Sequence, residues 1–279
     1  MPENEEIIEV LSCHANGYIR SLACSHPLRK QVLCTMFDFL GLKGKGLDLG
    51  CGIGLPAMEA FGKGVEVVGL DRETEFIEIA RRIVRTFSSS TGLPPPPEFV
   101  QGDVTCLEFE NNLFDWALSL DCINYAKDLV GEPLAEMKRV VKPGGRIILA
   151  AWSSQALLPG YPILEARLNA TPQGAAPFES GMAPQHHFMF TAGALKDLGL
   201  KNIRCKTFLQ DIYHPLDPRI LRAVADLFCM RWGKSLPGLS PGDQALYKAL
   251  TDPESDRFIL ASPAYYGFFT YTMFTGVVP

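Results

Sequence analysis

The chain has 279 residues, 47% of them hydrophobic and 20% charged, which supplies the core of one large domain or of a domain with a substantial insertion. Its 26 lysines and arginines against 31 acids give a net charge of −5, and no basic run exceeds Arg81-Arg82, so no nucleic-acid partner is expected. No apolar stretch approaches the roughly 18 residues of a membrane span, and the acidic start Met1-Pro2-Glu3-Asn4-Glu5-Glu6 lacks the features of a signal peptide, so no membrane partner and a cytoplasmic location are expected. Eight cysteines scattered through such a chain read as reduced core or pocket residues.

Taken in order, Ile7, Ile8, Val10 and Leu11 have helical spacing and predict a first helix over residues 3–16, stopped by Gly17. Residues 18–24 then read as a linker. Pro27 suits a helix start, and Val32, Leu33, Met36, Phe37 and Leu40 form one apolar face that Gly41 closes. Cys13, His14, Cys24, His26 and Cys34 lack the paired spacing of zinc ligands, so no metal is expected, and His14 and His26 read as surface and helix-start residues.

Next comes Leu47-Asp48-Leu49-Gly50-Cys51-Gly52-Ile53-Gly54, an apolar strand running into three glycines at alternate positions. Leu55, Ala57, Met58 and Ala60 then suit a helix. Glycine there lets the chain turn tightly and a ligand lie against bare backbone. A phosphate loop is absent, because Leu55-Pro56 follows Gly54, and the dinucleotide fingerprint would need glycine where Leu55 stands. Val65 to Asp71 reads as a second strand ending in an acid that can accept both ribose hydroxyls, although dinucleotide enzymes place an acid there too. An amphipathic helix follows from Glu73 to about Phe87, then a stiff connector through Pro94-Pro95-Pro96-Pro97. Phe99 to Val104, Phe114 to Asp121, and Arg139 to Leu149 with its Pro143-Gly144-Gly145 turn supply three further strands.

This ordered set resembles the class I S-adenosylmethionine-dependent methyltransferases, of the small-molecule type 11/25-like kind, over roughly residues 30–152. The resemblance implies an α/β fold, a Rossmann-like doubly wound seven-stranded sheet with an antiparallel last strand and helical lid insertions. It also implies S-adenosyl-L-methionine as cofactor, with S-adenosyl-L-homocysteine as product. Carried over residue by residue, the cofactor site falls on Asp48, Gly50, Cys51, Gly52, Gly54, Asp71, Arg72, Asp103, Val104 and Leu120. In the family the acid at Asp103 meets the adenine amino group and the next backbone amide meets the ring. An N-terminal helical segment commonly closes over the cofactor, which places Tyr18 near its methionine end.

Past the fourth strand, Asp121, Cys122, Ile123, Asn124 and Tyr125 lie where an open α/β sheet binds ligands. The Pro-Pro-Tyr of the adenine- and glutamine-methylating members is missing. Asp121 and Asn124 either orient a substrate or accept its proton, or they cap the next helix, and both readings stay open. His186 and His187 are candidates for removing a proton from an amine, phenol or acidic carbon, against exposed or backbone-bonded roles. Cys122 with Cys205 or Cys229 could suggest a thiol-dependent arsenite chemistry, but none of them is paired in sequence.

The expected organisation is a helical cap over 1–45, a cofactor core over 46–152, a substrate lid over 153–189, a core helix and strand over 190–210, a helical insertion over 211–262 and a last strand over 263–279. A short helix is predicted at Ile163 to Asn169, and two more around Leu221 to Phe228 and Ala245 to Leu250. Tyr265 and Tyr266, opening the last strand, are expected to reach the substrate cavity. The principal functional expectation is methyl transfer to a small-molecule acceptor by in-line displacement. Its alternatives are a non-catalytic cofactor-binding regulator or partner subunit and, further off, a protein methyltransferase. A homodimer through the exposed end of the helical insertion is open.

Overall fold

The computed structural model describes residues 9–85, 94–123, 131–176, 178 and 183–279. Its first long element is α1 (Gly17–Leu40), a single helix where the sequence suggested a stop at Gly17 and a linker to Cys24. The reason is local: the Asn16 side chain accepts from the Tyr18 and Ile19 amides, so residues 16 and 17 begin a helix rather than end one. Pro27 sits inside this helix, and Gly41 closes it in the left-handed region at φ 52°.

Five parallel strands follow, β1 (Lys45–Leu49), β2 (Glu66–Asp71), β3 (Glu98–Gln101), β4 (Phe114–Leu120) and β5 (Val141–Ala156). With β6 (Lys201–Tyr213) and β7 (Tyr266–Val277) they make a seven-stranded sheet in the order β3-β2-β1-β4-β5-β7-β6. The last strand is antiparallel to both neighbours, as expected. The strand order reverses beside β1 and β4, and the crevice at their carboxyl ends is where this architecture binds ligands.

Each central strand is apolar on both sides because helices cover both faces. Trp116, Leu118 and Leu120 of β4 and Ile148 and Ala150 of β5 join one core, while Ala117, Ile147, Leu149 and Ala151 join the other. The first face carries α1 and α2 (Leu55–Phe61), with α3 (Thr74–Arg85) beside them. The second carries α4 (Glu132–Val140) and α6 (Thr191–Asp197).

The stretch expected to form one lid over 153–189 divides between these faces. Its start continues β5, with Ser154 to Ala156 paired to Thr270 to Phe268 of the long β7. Next, α5 (Pro162–Asn169) joins α7 (Pro218–Trp232) and α8 (Pro241–Thr251) in a helical annex on the α1 side. Polar pins hold the annex together: Arg167 to Asp243 at 2.8 Å, Trp232 Nε1 to Asn169 at 2.9 Å, and Thr171 Oγ1 to Ser235 Oγ at 2.6 Å. Phe188, by contrast, packs on Phe274 in the core of the second face. The annex leans on α1 chiefly through α7, and α1 in turn walls the crevice described next.

Candidate active site

The site is built on the turn after β1. Gly50, Gly52 and Gly54 all have positive φ, at 74°, 55° and 80°. A side chain at Gly50 would put its Cβ 2.3 Å from Cys122 Sγ, and one at Gly54 would meet the Phe99 ring at 2.6 Å. Glycine is therefore required by conformation and by space. The turn is stitched to the end of β2, with the Gly50 and Cys51 amides donating to Leu70 O at 2.8 and 3.0 Å and the Gly52 amide to Asp71 Oδ2 at 2.8 Å.

Above it opens a cavity of about 730 Å³, within the range of small-molecule and cofactor sites. Gly50, Cys51, Gly52, Asp71, Arg72, Asp103, Val104 and Leu120 line it, so eight of the ten positions carried over from the family meet on one surface. Asp71 sits at its edge with Oδ1 accepting from the Glu73 amide at 3.1 Å. Asp103 Oδ1 accepts from the Thr105 amide and hydroxyl at 2.8 and 2.7 Å, and these bonds hold its carboxyl below the usual range. Gly54 shapes the turn without reaching the cavity wall.

Asp48 differs from expectation more sharply. It is buried below the turn, 1% exposed, outside the cavity lining, and neither carboxylate oxygen has a hydrogen-bond partner. Burial, reinforced by nearby Asp71, pushes its carboxyl up to about 7. A raised folded-state pKa means the folded protein keeps a proton that the unfolded chain releases, so the group's contribution to stability falls as pH rises from about 4 to 7. Asp48→Asn removes this dependence. The urea midpoint of the variant relative to the parent should rise between pH 5 and pH 8, and a constant difference would contradict a buried, uncompensated carboxylate.

Of the catalytic candidates, Tyr18 and Asp121 line the cavity. Tyr18 stands at its mouth, stacked on Phe76 with ring centroids 5.6 Å apart. Asp121, at φ 51°, is bound into the framework. Its Oδ1 accepts from the Trp152 amide at 2.9 Å, and its Oδ2 from Arg29 at 3.0 Å and from the Tyr271 hydroxyl at 2.7 Å. The carboxylate thus joins α1, β4, β5 and β7. Asn124 and Tyr125 lie outside the described residues. His186 and His187 are placed away from the cavity, where the His187 Nδ1 accepts from the Met189 amide at 3.2 Å and its ring meets Phe178. They follow the chain onto the second face of the sheet. Tyr265 is buried with its hydroxyl on Leu157 O, and Tyr266 is exposed with its hydroxyl on Asp211, so neither reaches this cavity. Cys205 and Cys229 are exposed and Cys122 is at the cavity, and no cluster of three metal-ligating side chains occurs among the described residues.

Sequence reasoning missed Leu22, His26 and Arg29. All three line the cavity, and with Tyr18 they recur every three or four residues on one face of α1. That stripe was readable only once residues 17–40 are one helix. His26 is buried with Nε2 3.1 Å from Glu59, and burial lowers its pKa, so the ring is neutral near pH 7. Burial, with Asp71 and Asp48 nearby, pushes the Cys122 thiol up to about 11, which keeps it protonated and poorly nucleophilic.

Residues 47–149 match the family described as "Methyltransferase domain". The sterol 24-C-methyltransferase of Saccharomyces cerevisiae is 34% identical over 107 residues, 38% of this chain and 27% of that protein. A methyltransferase of Penicillium fellutanum is 37% identical over 101 residues, 36% of this chain and 29% of that one. The chain thus matches under a third of the length of these curated relatives. In three dimensions, the Haemonchus contortus phosphoethanolamine N-methyltransferase 2 in complex with S-adenosyl-L-methionine superposes over 98% of this chain and 60% of its own. The TM-score is 0.55 at 18% identity, a likeness of fold.

Proposed function

We propose that residues 47–149, which match the family described as "Methyltransferase domain", form a class I S-adenosylmethionine-dependent core and that the chain transfers a methyl group to a small, apolar or aromatic acceptor. The observation that carries the reading is the cavity itself, a bare glycine turn lined by the acids Asp71, Glu73, Asp103 and Asp121 and by Arg29 and Arg72. S-Adenosylmethionine fits that polarity. Asp71 takes the ribose hydroxyls, Asp103 and the Val104 amide the adenine, and Arg29 the carboxylate of the amino-acid end. Asp48 lies below the turn that carries these contacts.

The bound cofactor supplies a sulfonium methyl whose leaving group is neutral, so the displacement needs no strong base. The protein's part is alignment and exclusion of water. Arg29 is held by Asp121 and stands 5.6 Å over the Tyr271 ring, so its charge is fixed before a ligand arrives. Tyr18 and Leu22 cover the mouth from α1. His26 and Cys122 are both neutral near pH 7 and leave the acceptor's approach uncharged. Past Asp121, Trp152 stacks on the fully buried Phe269 with centroids 4.3 Å apart, which packs the core behind the site rather than lining the cavity.

All eight cysteines are free, and no described helix is long and apolar enough to cross a membrane, which supports a reducing, cytoplasmic setting. Incubating the protein with methyl-labelled S-adenosylmethionine and a fractionated small-molecule extract should place label in an apolar fraction, dependent on intact Asp71. Label carried only on polypeptide, or on nothing, would contradict a small-molecule methyltransferase.

A further inference from the structure

A second cavity, of about 370 Å³, lies behind the first, between α1, α2, α3 and the start of α7. His26 and Leu55 line both cavities and form the partition. The floor of the second is apolar, made by Ala23, Pro27, Leu55, Met58 and Ile83. Its rim carries Lys30, Arg219 and Arg222 against Glu9 and Glu59.

The rim charges are not equally available. Glu59 lies 3.1 Å from His26 and 3.4 Å from Lys30, and it accepts the Cys34 thiol at 3.5 Å. Arg219 is paired with Asp217 at 3.2 Å, outside the cavity. Arg222 enters no ion pair or hydrogen bond among the described residues, and Glu9, from the segment ahead of α1, lines the same cavity. An apolar chamber of this size beside one uncommitted guanidinium has a definite complement. It is a molecule with a short hydrocarbon body and a single negative head.

We propose that this second cavity binds a small amphipathic carboxylate, its hydrocarbon body on Leu55, Met58 and Ile83 and its head on Arg222. The site is separate from the one assigned to the cofactor and does not depend on that assignment. Because His26 and Leu55 are shared, a ligand here sits one side chain from the cofactor cavity.

Octanoate, octanol and octylamine share a body and differ in the head, so calorimetric titration of the full chain with each isolates the charge. Octanoate should bind saturably and at least about tenfold more tightly than either analogue. Arg222→Glu should weaken octanoate by about tenfold or more while leaving octanol within about twofold, and Glu9→Gln should tighten octanoate. Both positions are on the exposed rim, and neither lines the cofactor cavity. Met58→Trp, which fills the chamber, should abolish binding of octanoate and octanol alike. The proposal is overturned if octanoate binds no better than octanol or octylamine, if Arg222→Glu leaves it unchanged, or if no saturable binding occurs.

Discussion

Asp71→Ala should raise the dissociation constant for S-adenosylhomocysteine by about 10- to 150-fold. Two roles end together. One is the proposed acceptance of the ribose hydroxyls by the carboxylate, with bonds to a charged group contributing about 1.5–3 kcal/mol. The other is the 2.8 Å bond from the Gly52 amide, which holds the middle of the glycine turn against the end of β2. The fold should survive, because the side chain is at the cavity edge and the turn keeps its backbone bonds from Gly50 and Cys51 to Leu70 O. A calorimetric dissociation constant equal to the parent's would remove Asp71 from the cofactor site.

Asp121→Ala should be the more damaging change to stability. It withdraws the acceptor of Arg29, whose side chain is 14% exposed, and of the buried Tyr271 hydroxyl and the Trp152 amide. Removing one partner of a largely buried ion pair costs about 3–5 kcal/mol, and the left-handed backbone at φ 51° suits alanine less well than aspartate. The melting temperature should fall by about 6–20 °C, at roughly 2–4 °C per kcal/mol for a chain of this size. Arg29→Met in the same chain removes the stranded guanidinium and should recover part of the loss. A fall under about 2 °C would show that the ion pair does not hold α1 to the sheet.

Much of the core was legible because its signals are local. Leu47 to Gly54 announces a strand and a turn that only glycine can make, and Asp71 and Asp103 follow at the ends of strands whose apolar runs mark a sheet covered on both faces. What could not be read depended on partners distant in sequence. Asp121 carries equal local signals for capping and catalysis, and its carboxylate is bound by Arg29 and Tyr271, 92 and 150 positions away, which no local signal shows. Gly17 has the composition of a helix stop, and only the bonds made by Asn16 turn it into a start. That one misreading concealed the stripe of Tyr18, Leu22, His26 and Arg29. His186 and His187 were placed by loop length alone, whereas Phe188 anchors their segment to Phe274 on the far face.

The cavity over the glycine turn is proposed to hold an adenosyl sulfonium and not a dinucleotide. Calorimetric titration of the purified chain with S-adenosylhomocysteine, 5′-methylthioadenosine and NAD tests it most directly. S-Adenosylhomocysteine should bind tightly and one-to-one, 5′-methylthioadenosine, which lacks the carboxylate assigned to Arg29, should bind more weakly, and NAD should not bind. Equal affinity for the two adenosyl compounds would remove Arg29 from the site, and binding of NAD alone, or of none of the three, would contradict the claim itself.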